Sequence, residues 1–297
     1  MFHSIKNSTN SGGNQKKTEL DTTSVIGLSA LVAVAAAAGG FFGDIAKTYL
    51  SSVFVGRWTE RQESKRIFEK YKNPLTLSAS ELANRFVEIN KTYPTTFLSR
   101  KNLSSQMRRV TANSNSDEYY QKYKLISTMY RFCAFLGWLE IYRRDTVFLS
   151  SGDSGKDQKI NVCISKFRSS ISDGHLNSFK NWRDWKDHLV FREELRAVGE
   201  SMVRSASSSY QVMGYADFEK VLQDPKSDGH RWLSSTIHFF ADAKIQKDFR
   251  KIRFCLMLVR LCDLLELLTE RPLSDWLSEG KITAQKTLEE LEFVEVQ

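Results

Sequence analysis

The chain has 297 residues, of which 41% are hydrophobic and 26% are charged, with 15 glycines and 4 prolines. This length and composition suffice for one large hydrophobic core, and they exclude a disordered, a collagen-like or a disulfide-framework protein. The net charge is +8, which permits attraction to the phosphate groups of lipid or nucleic acid.

The N-terminal part predicts a polar tail and one membrane span. Residues 1–24 are rich in Ser, Asn, Gly and Lys, which is typical of a disordered segment. Residues 25–43 carry no charged side chain, and a helix of this length measures about 28 Å, close to the thickness of a hydrocarbon core. A cleaved signal peptide is the alternative, because the small residues of 36–39 resemble a cleavage site.

The basic residues on either side of this span predict its orientation. Seven follow it between Lys47 and Lys72, whereas three precede it, and acidic Glu19 and Asp21 lie directly before it. Because basic residues stay on the cytoplasmic side, we expect a single-pass protein of the cell inner membrane with its large C-terminal part in the cytoplasm.

Three small residues lie four positions apart in the span. Ala35, Gly39 and Gly43 fall on one helix face, and this spacing lets two transmembrane helices approach closely. It predicts self-association of the span into a homo-oligomer.

Residues 44–73 predict a juxtamembrane helix, or stalk, with amphipathic character. Its basic and aromatic residues suit the level of the lipid headgroups, where they would contact the anionic surface: Arg57, Trp58, Arg61, Lys65 and Arg66. Pro74 is expected to end this helix, and a capping box at Ser78–Glu81 is expected to begin the next one.

Residues 74–271 predict an all-α helical bundle. In the central helix, apolar residues recur at intervals of four and three, as expected for a buried stripe: Leu125, Met129, Phe132, Leu136 and Leu139. Between Phe132 and Tyr142 nearly every face is apolar, so we expect Trp138 to be buried. The last long helix, about 245–270, has the same periodicity from Phe254 to Leu268.

The C-terminal third of the chain separates its charges. Residues 244–260 contain six basic residues and one acidic residue, and Lys247, Arg250, Lys251 and Arg253 predict a basic surface for nucleic acid or anionic lipid. Residues 272–297 predict an acidic tail with a short helix near 284–293.

No catalytic, cofactor-binding or metal-binding residue is predicted. The four cysteines form no C-x-x-C pair and lie in apolar runs, which indicates free thiols in a reducing compartment. An enzyme remains an alternative only through a cluster of charged residues inside the bundle, with structural ion pairs as the competing interpretation: Glu140, Arg143, Arg144, Asp145, Arg192, Glu193 and Glu194.

Several short segments resemble one group of uncharacterised bacterial proteins over roughly residues 57–270. The matching segments are Tyr71–Leu75 with Ser78, Ala79 and Leu82, then 136–141, 143–145, 191–200 and 214–218. The resemblance implies an all-helical body behind a hydrophobic N-terminal segment, and it implies no activity. Together these patterns predict a membrane-tethered, non-catalytic interaction or scaffold module, with an unidentified protein partner at the cytoplasmic face.

Overall fold

The computed structural model describes residues 40–92, 98, 116–146, 155–172, 189–206, 209–243 and 250–291. These ranges contain eight helices and one antiparallel hairpin, which confirms the predicted all-α class. The helices are α1 Gly40–Thr92, α2 Ser116–Thr146, α3 Gly155–Ser172, α4 Arg192–Met202, α5 Tyr215–Gln223, α6 His230–Phe240, α7 Arg250–Thr269 and α8 Asp275–Glu290. The strands are β1 Val203–Ala206 and β2 Ser209–Val212.

The chain divides into two compact units, residues 1–60 and 61–297. In the first unit the structure describes the beginning of α1, residues 40–60. The predicted tail 1–24 and residues 25–39 of the predicted span lie outside the described residues. Among the helices that the structure does describe, none combines the length and apolarity needed to cross a bilayer.

Helix α1 continues through Pro74, so the predicted helix break at this residue is wrong. Proline in a helix interior costs about 3 kcal/mol, because it removes one hydrogen bond and crowds the preceding turn. Tyr71, Leu75 and Ala79 are all buried around it, and each large apolar side chain contributes about 1.5–3 kcal/mol on burial. Packing against the core therefore outweighs the local cost.

Ser78 does not begin a helix. Its hydroxyl donates a hydrogen bond to the Leu75 carbonyl oxygen at 3.2 Å, as serine does inside a continuing helix. The sequence pattern that suggested a capping box at Ser78–Glu81 therefore lies in the middle of α1.

The predicted stripe of α2 is confirmed, since all five of its apolar residues are at most 3% exposed. The expectation for Trp138 is wrong: its side chain is half-buried and packs against the edge of the core. The segment 132–142 is apolar on nearly every face, but the helices around α2 do not cover all of these faces, and Trp138 lies on a partly uncovered one.

Phenylalanine rings from four helices meet at the centre of the bundle. The ring of Phe240 in α6 lies 5.2 Å from Phe132 in α2, 5.9 Å from Phe254 in α7 and 6.4 Å from Phe86 in α1, measured between centroids. All four side chains are fully buried. This cluster joins the elements that carry most of the core.

Helix α8 is longer than the short helix predicted near 284–293, and it packs on α7. It begins at Asp275 because the Ser274 hydroxyl accepts a hydrogen bond from the Leu277 amide, which is the usual role of an N-cap serine. Leu277, Ala284 and Leu288 are buried. This part of the acidic C-terminal region is therefore a packed helix.

The hairpin of β1 and β2 was not predicted. It pairs Val203 with Val212 and Ala206 with Ser209. The hairpin lies against α2 at Gly137, where a Cβ atom would come within 2.9 Å of Met202 Cβ and 3.2 Å of Val212 Cγ2. A residue without a side chain at position 137 thus permits this close approach.

Gly199 of α4 gives a direct test of the α2–α4 packing. A Cβ atom at this position would lie 2.8 Å from the Leu136 carbonyl oxygen, which belongs to the backbone and cannot rotate away. We therefore expect Gly199→Ala to lower the free energy of unfolding by about 1–3 kcal/mol, despite the higher helix propensity of alanine. Denaturant titration measures this change.

Gly214→Ala is the matched control, because a Cβ atom at Gly214 meets nothing within 4 Å. We expect it to change the free energy of unfolding by less than about 0.5 kcal/mol. Equal stability of Gly199→Ala and the unchanged protein would show that α4 does not lie this close to α2.

Candidate functional site

An open cleft of about 900 Å³ lies between α1, the last turn of α2 and the hairpin. We call it the α1–α2 cleft. Most of its lining residues are charged, with four cations and two carboxylates, and they come from three distant parts of the sequence: Glu63, Arg66, Ile67, Lys70, Arg143, Arg144, Asp145 and Tyr210.

Glu140 fixes the two arginines of α2. Its carboxylate is 2% exposed and accepts hydrogen bonds from Arg143 Nε at 2.8 Å, from Arg143 Nη2 at 2.7 Å and from Arg144 Nε at 3.0 Å. Burial by itself would raise the pKa of Glu140, but the hydrogen bonds from both arginines outweigh it and lower the pKa. The ion pair of Glu140 with Arg144, which the spacing of four residues indicated, is therefore present. Glu140 also forms a second ion pair, with Arg143.

Asp145 links α2 to α1. Its Oδ2 atom accepts a hydrogen bond from the Tyr71 hydroxyl at 2.5 Å and one from Lys70 Nζ at 3.1 Å. Hydrogen bonding to Tyr71, together with the nearby Asp145 carboxylate, raises the pKa of Lys70. Burial, with a further contribution from the bond to Asp145, raises the pKa of Tyr71. Both groups keep their protons at neutral pH, so the contact between the helices is maintained.

Tyr210 of β2 forms the third side of the cleft. Tyr210 is 41% exposed, and the Arg144 guanidinium lies 5.8 Å from the ring centroid. This distance is within the range of a cation–π interaction. The contact depends on the close approach of the hairpin at Gly137, which was not predicted from the sequence. The alternation of Tyr210 and Val212 around the polar Gln211 was the available signal.

The structure describes the side chains of two of the five predicted headgroup contacts, Lys65 and Arg66. Arg66 lines the α1–α2 cleft, where its Nη2 lies 2.7 Å from Glu63 Oε1, and Lys65 is exposed. The side chains of Arg57, Trp58 and Arg61 lie outside the described residues. One residue of the predicted self-association face, Gly43, belongs to α1. The other two, Ala35 and Gly39, lie outside the described residues.

The predicted basic surface of Lys247, Arg250, Lys251 and Arg253 is wrong for its two arginines. Arg250 is 6% exposed and donates from Nη1 to the carbonyl oxygens of His238, Phe239 and Ala241. Arg253 is fully buried and donates to the carbonyl oxygens of Ser170 and Ile171 at 2.9 and 3.0 Å. Both arginines therefore satisfy carbonyl groups at the C-terminal ends of α6 and α3.

The two lysines of this predicted surface differ in position. Lys251 is half-buried, and Lys247 lies outside the described residues. The described part of helix α7 thus offers a phosphate backbone little positive charge.

The other candidate polar residues lie away from the cleft. Arg192 Nη2 donates to Ser169 Oγ at 3.1 Å, and the Glu194 carboxylate accepts a hydrogen bond from the Phe191 amide at the start of α4. Glu193 is exposed. The cluster that would have favoured an enzyme is therefore divided between the cleft and the first turn of α4.

The four cysteines are free thiols, as predicted. Burial raises the pKa of Cys133, Cys255 and Cys262 to about 12, and burial also raises the pKa of half-buried Cys163. A thiol is a weak nucleophile without its thiolate form. Over the described ranges, no three His, Cys, Asp or Glu side chains are grouped so that they could hold a metal ion.

No family model matches this chain, and neither the curated proteins nor the solved structures contain a match. The resemblance to uncharacterised bacterial proteins over residues 57–270 stays a prediction.

Proposed function

We propose that this chain is a membrane-tethered, non-catalytic interaction module that presents the α1–α2 cleft to an anionic partner at the cytoplasmic face of the inner membrane. The observation that carries this proposal is the cleft itself, in which four cations line an open space. Two of them, Arg143 and Arg144, are held in place by the buried Glu140 carboxylate. A preorganised set of donors favours binding, because less side-chain freedom is lost when a ligand arrives.

The protonation state of Glu140 supports a binding role. A general acid or base works best when its pKa lies near the operating pH, whereas two arginines lower the pKa of this carboxylate. Glu140 therefore acts as a constant negative charge that positions its neighbours.

The tether is proposed from the sequence, and the path of α1 is consistent with it. Helix α1 begins at Gly40, inside the predicted span 25–43, and includes the whole predicted stalk 44–73. The cleft residues Glu63, Arg66 and Lys70 belong to the same helix.

Carbonate extraction of membranes tests the tether. We expect the full-length protein to stay in the membrane fraction, and Leu31→Arg with Val34→Arg to release it, because each arginine near the centre of a span costs about 2.5–3.5 kcal/mol. Leu31→Ala with Val34→Ala is the matched control. A secreted, shortened protein beginning near Gly39 would instead establish a cleaved signal peptide.

The proposed homo-oligomer depends on the small residues of the span. Replacing Gly39 and Gly43 by leucine should hold two helices apart while keeping the segment apolar. We therefore expect membrane insertion to survive and the oligomer to dissociate, as measured by cross-linking and mass determination in detergent. Identical masses of the two proteins would contradict association through this face.

A further inference from the structure

We propose that the α1–α2 cleft binds the phosphate group of an organic phosphate, with Arg143 and Arg144 as its principal donors and Arg66 and Lys70 on the opposite wall. This inference rests on the proposed function, because it names the ligand chemistry of the same cleft. Three observations support it: the arrangement of the cations, the size of the cleft and the aromatic ring of Tyr210 in its lining.

The arginines retain donors after Glu140 has been satisfied. Arg143 uses Nε and Nη2 in a two-point contact with Glu140, but Arg144 uses only Nε. Its two terminal nitrogens form no hydrogen bond with the residues that the structure describes, and Arg144 lines the cleft. Guanidinium groups bind phosphate with paired, charge-assisted hydrogen bonds, which are stronger than neutral ones.

The environment of the cleft is positive. The buried network contains two guanidinium groups for one carboxylate, which leaves one positive charge. This excess favours an anion, and a phosphate group offers the remaining guanidinium nitrogens three strong acceptor oxygens, against two for a carboxylate.

The opposite wall contributes cations that can change partner. Arg66 is 78% exposed and pairs with Glu63, and Lys70 is 55% exposed and pairs with Asp145. An exposed ion pair such as Arg66–Glu63 is worth about 0–1 kcal/mol, and the Lys70 end of the pair with the 26% exposed Asp145 is also open to solvent. Their cations are therefore available to a more highly charged ligand at small cost.

The cleft is larger than a phosphate ion. Its volume of about 900 Å³ leaves room for an organic part, and the partly exposed Tyr210 in its lining offers that part an aromatic contact. A soluble phosphate ester and the headgroup of an anionic lipid share this chemistry. The experiment separates these two sources.

The test uses the full-length protein in nanodiscs of phosphatidylcholine, with inorganic pyrophosphate as the probe and titration calorimetry as the measurement. We expect saturable binding that Arg144→Gln weakens at least about tenfold, the effect of losing one charge-assisted hydrogen bond. Arg231→Gln is the matched control, because Arg231 is exposed and lies over Trp232 instead of in the cleft. Equal melting temperatures of the two variants show that both are folded.

Nanodiscs that also contain phosphatidylglycerol separate the sources. If phosphatidylglycerol weakens pyrophosphate binding to the unchanged protein, and does not do so in the Arg144→Gln variant, the ligand of the cleft is a lipid headgroup. If pyrophosphate binds equally well with and without phosphatidylglycerol, the ligand of the cleft is a soluble phosphate ester. Absence of saturable binding in both nanodiscs, or equal affinity of the Arg144→Gln variant and the unchanged protein, would overturn the proposal. Carbonate extraction is independent of these results, so the tether can hold when phosphate binding fails.

Discussion

Phe240→Ala is expected to lower the free energy of unfolding by about 3–5 kcal/mol, the usual cost of removing a fully buried aromatic ring. The ring of Phe240 contacts Phe86, Phe132 and Phe254 in three other helices, so no single neighbour can move to fill the space. For a body of this size, about 1 kcal/mol lowers the melting temperature by roughly 2–4 °C. Thermal and denaturant unfolding measure the change.

Phe191→Ala is the control for this prediction, because Phe191 is 57% exposed. We expect it to change the free energy of unfolding by about 0.5 kcal/mol or less. An equal effect of the two substitutions would mean that Phe240 does not lie at the centre of the core.

Glu140→Gln is expected to destabilise the protein by about 2–4 kcal/mol at neutral pH. The substitution removes the negative charge that pairs with Arg143 and Arg144, and breaking a buried charge pair on one side is strongly unfavourable. Glu200→Gln is the control, because Glu200 is 42% exposed and forms a surface pair with Arg196.

The effect of Glu140 should depend on pH. Its pKa in the folded state lies below the ordinary value of 4.5, so its contribution to stability is complete above about pH 4.5 and disappears as the pH falls through the lowered pKa. We therefore expect the stability difference between the Gln variant and the unchanged protein to shrink in acid. A constant difference from pH 7 to pH 3 would contradict this assignment.

The helices with a regular spacing of apolar residues could be predicted from the sequence. The stripes of α2 and α7 were correct because residues spaced by three and four positions share one face, and the core covers that face. Pro74 and Trp138 were not predicted correctly, since local preference and local composition do not show which neighbours pack against a helix. At Pro74 the burial of Tyr71 and Leu75 decides the result.

The site was less predictable than the fold. The spacing of Glu140 and Arg144 within one helix indicated their ion pair, but Lys70 meets Asp145 across 75 residues, and no local pattern contains this contact. Arg250 and Arg253 show the opposite case. A run of basic residues indicated a surface, although long arginine side chains can instead satisfy the carbonyl groups at helix ends inside the bundle.

The orientation of the body tests the central claim most directly. A cysteine introduced at Lys286, which is exposed on α8, can be labelled with a membrane-impermeant maleimide in a variant whose half-buried Cys163 is replaced by serine. A protein anchored with its body in the cytoplasm should be labelled in inverted inner-membrane vesicles and stay unlabelled in intact cells. Labelling of Lys286→Cys in intact cells would place the body outside the cytoplasm and contradict the account.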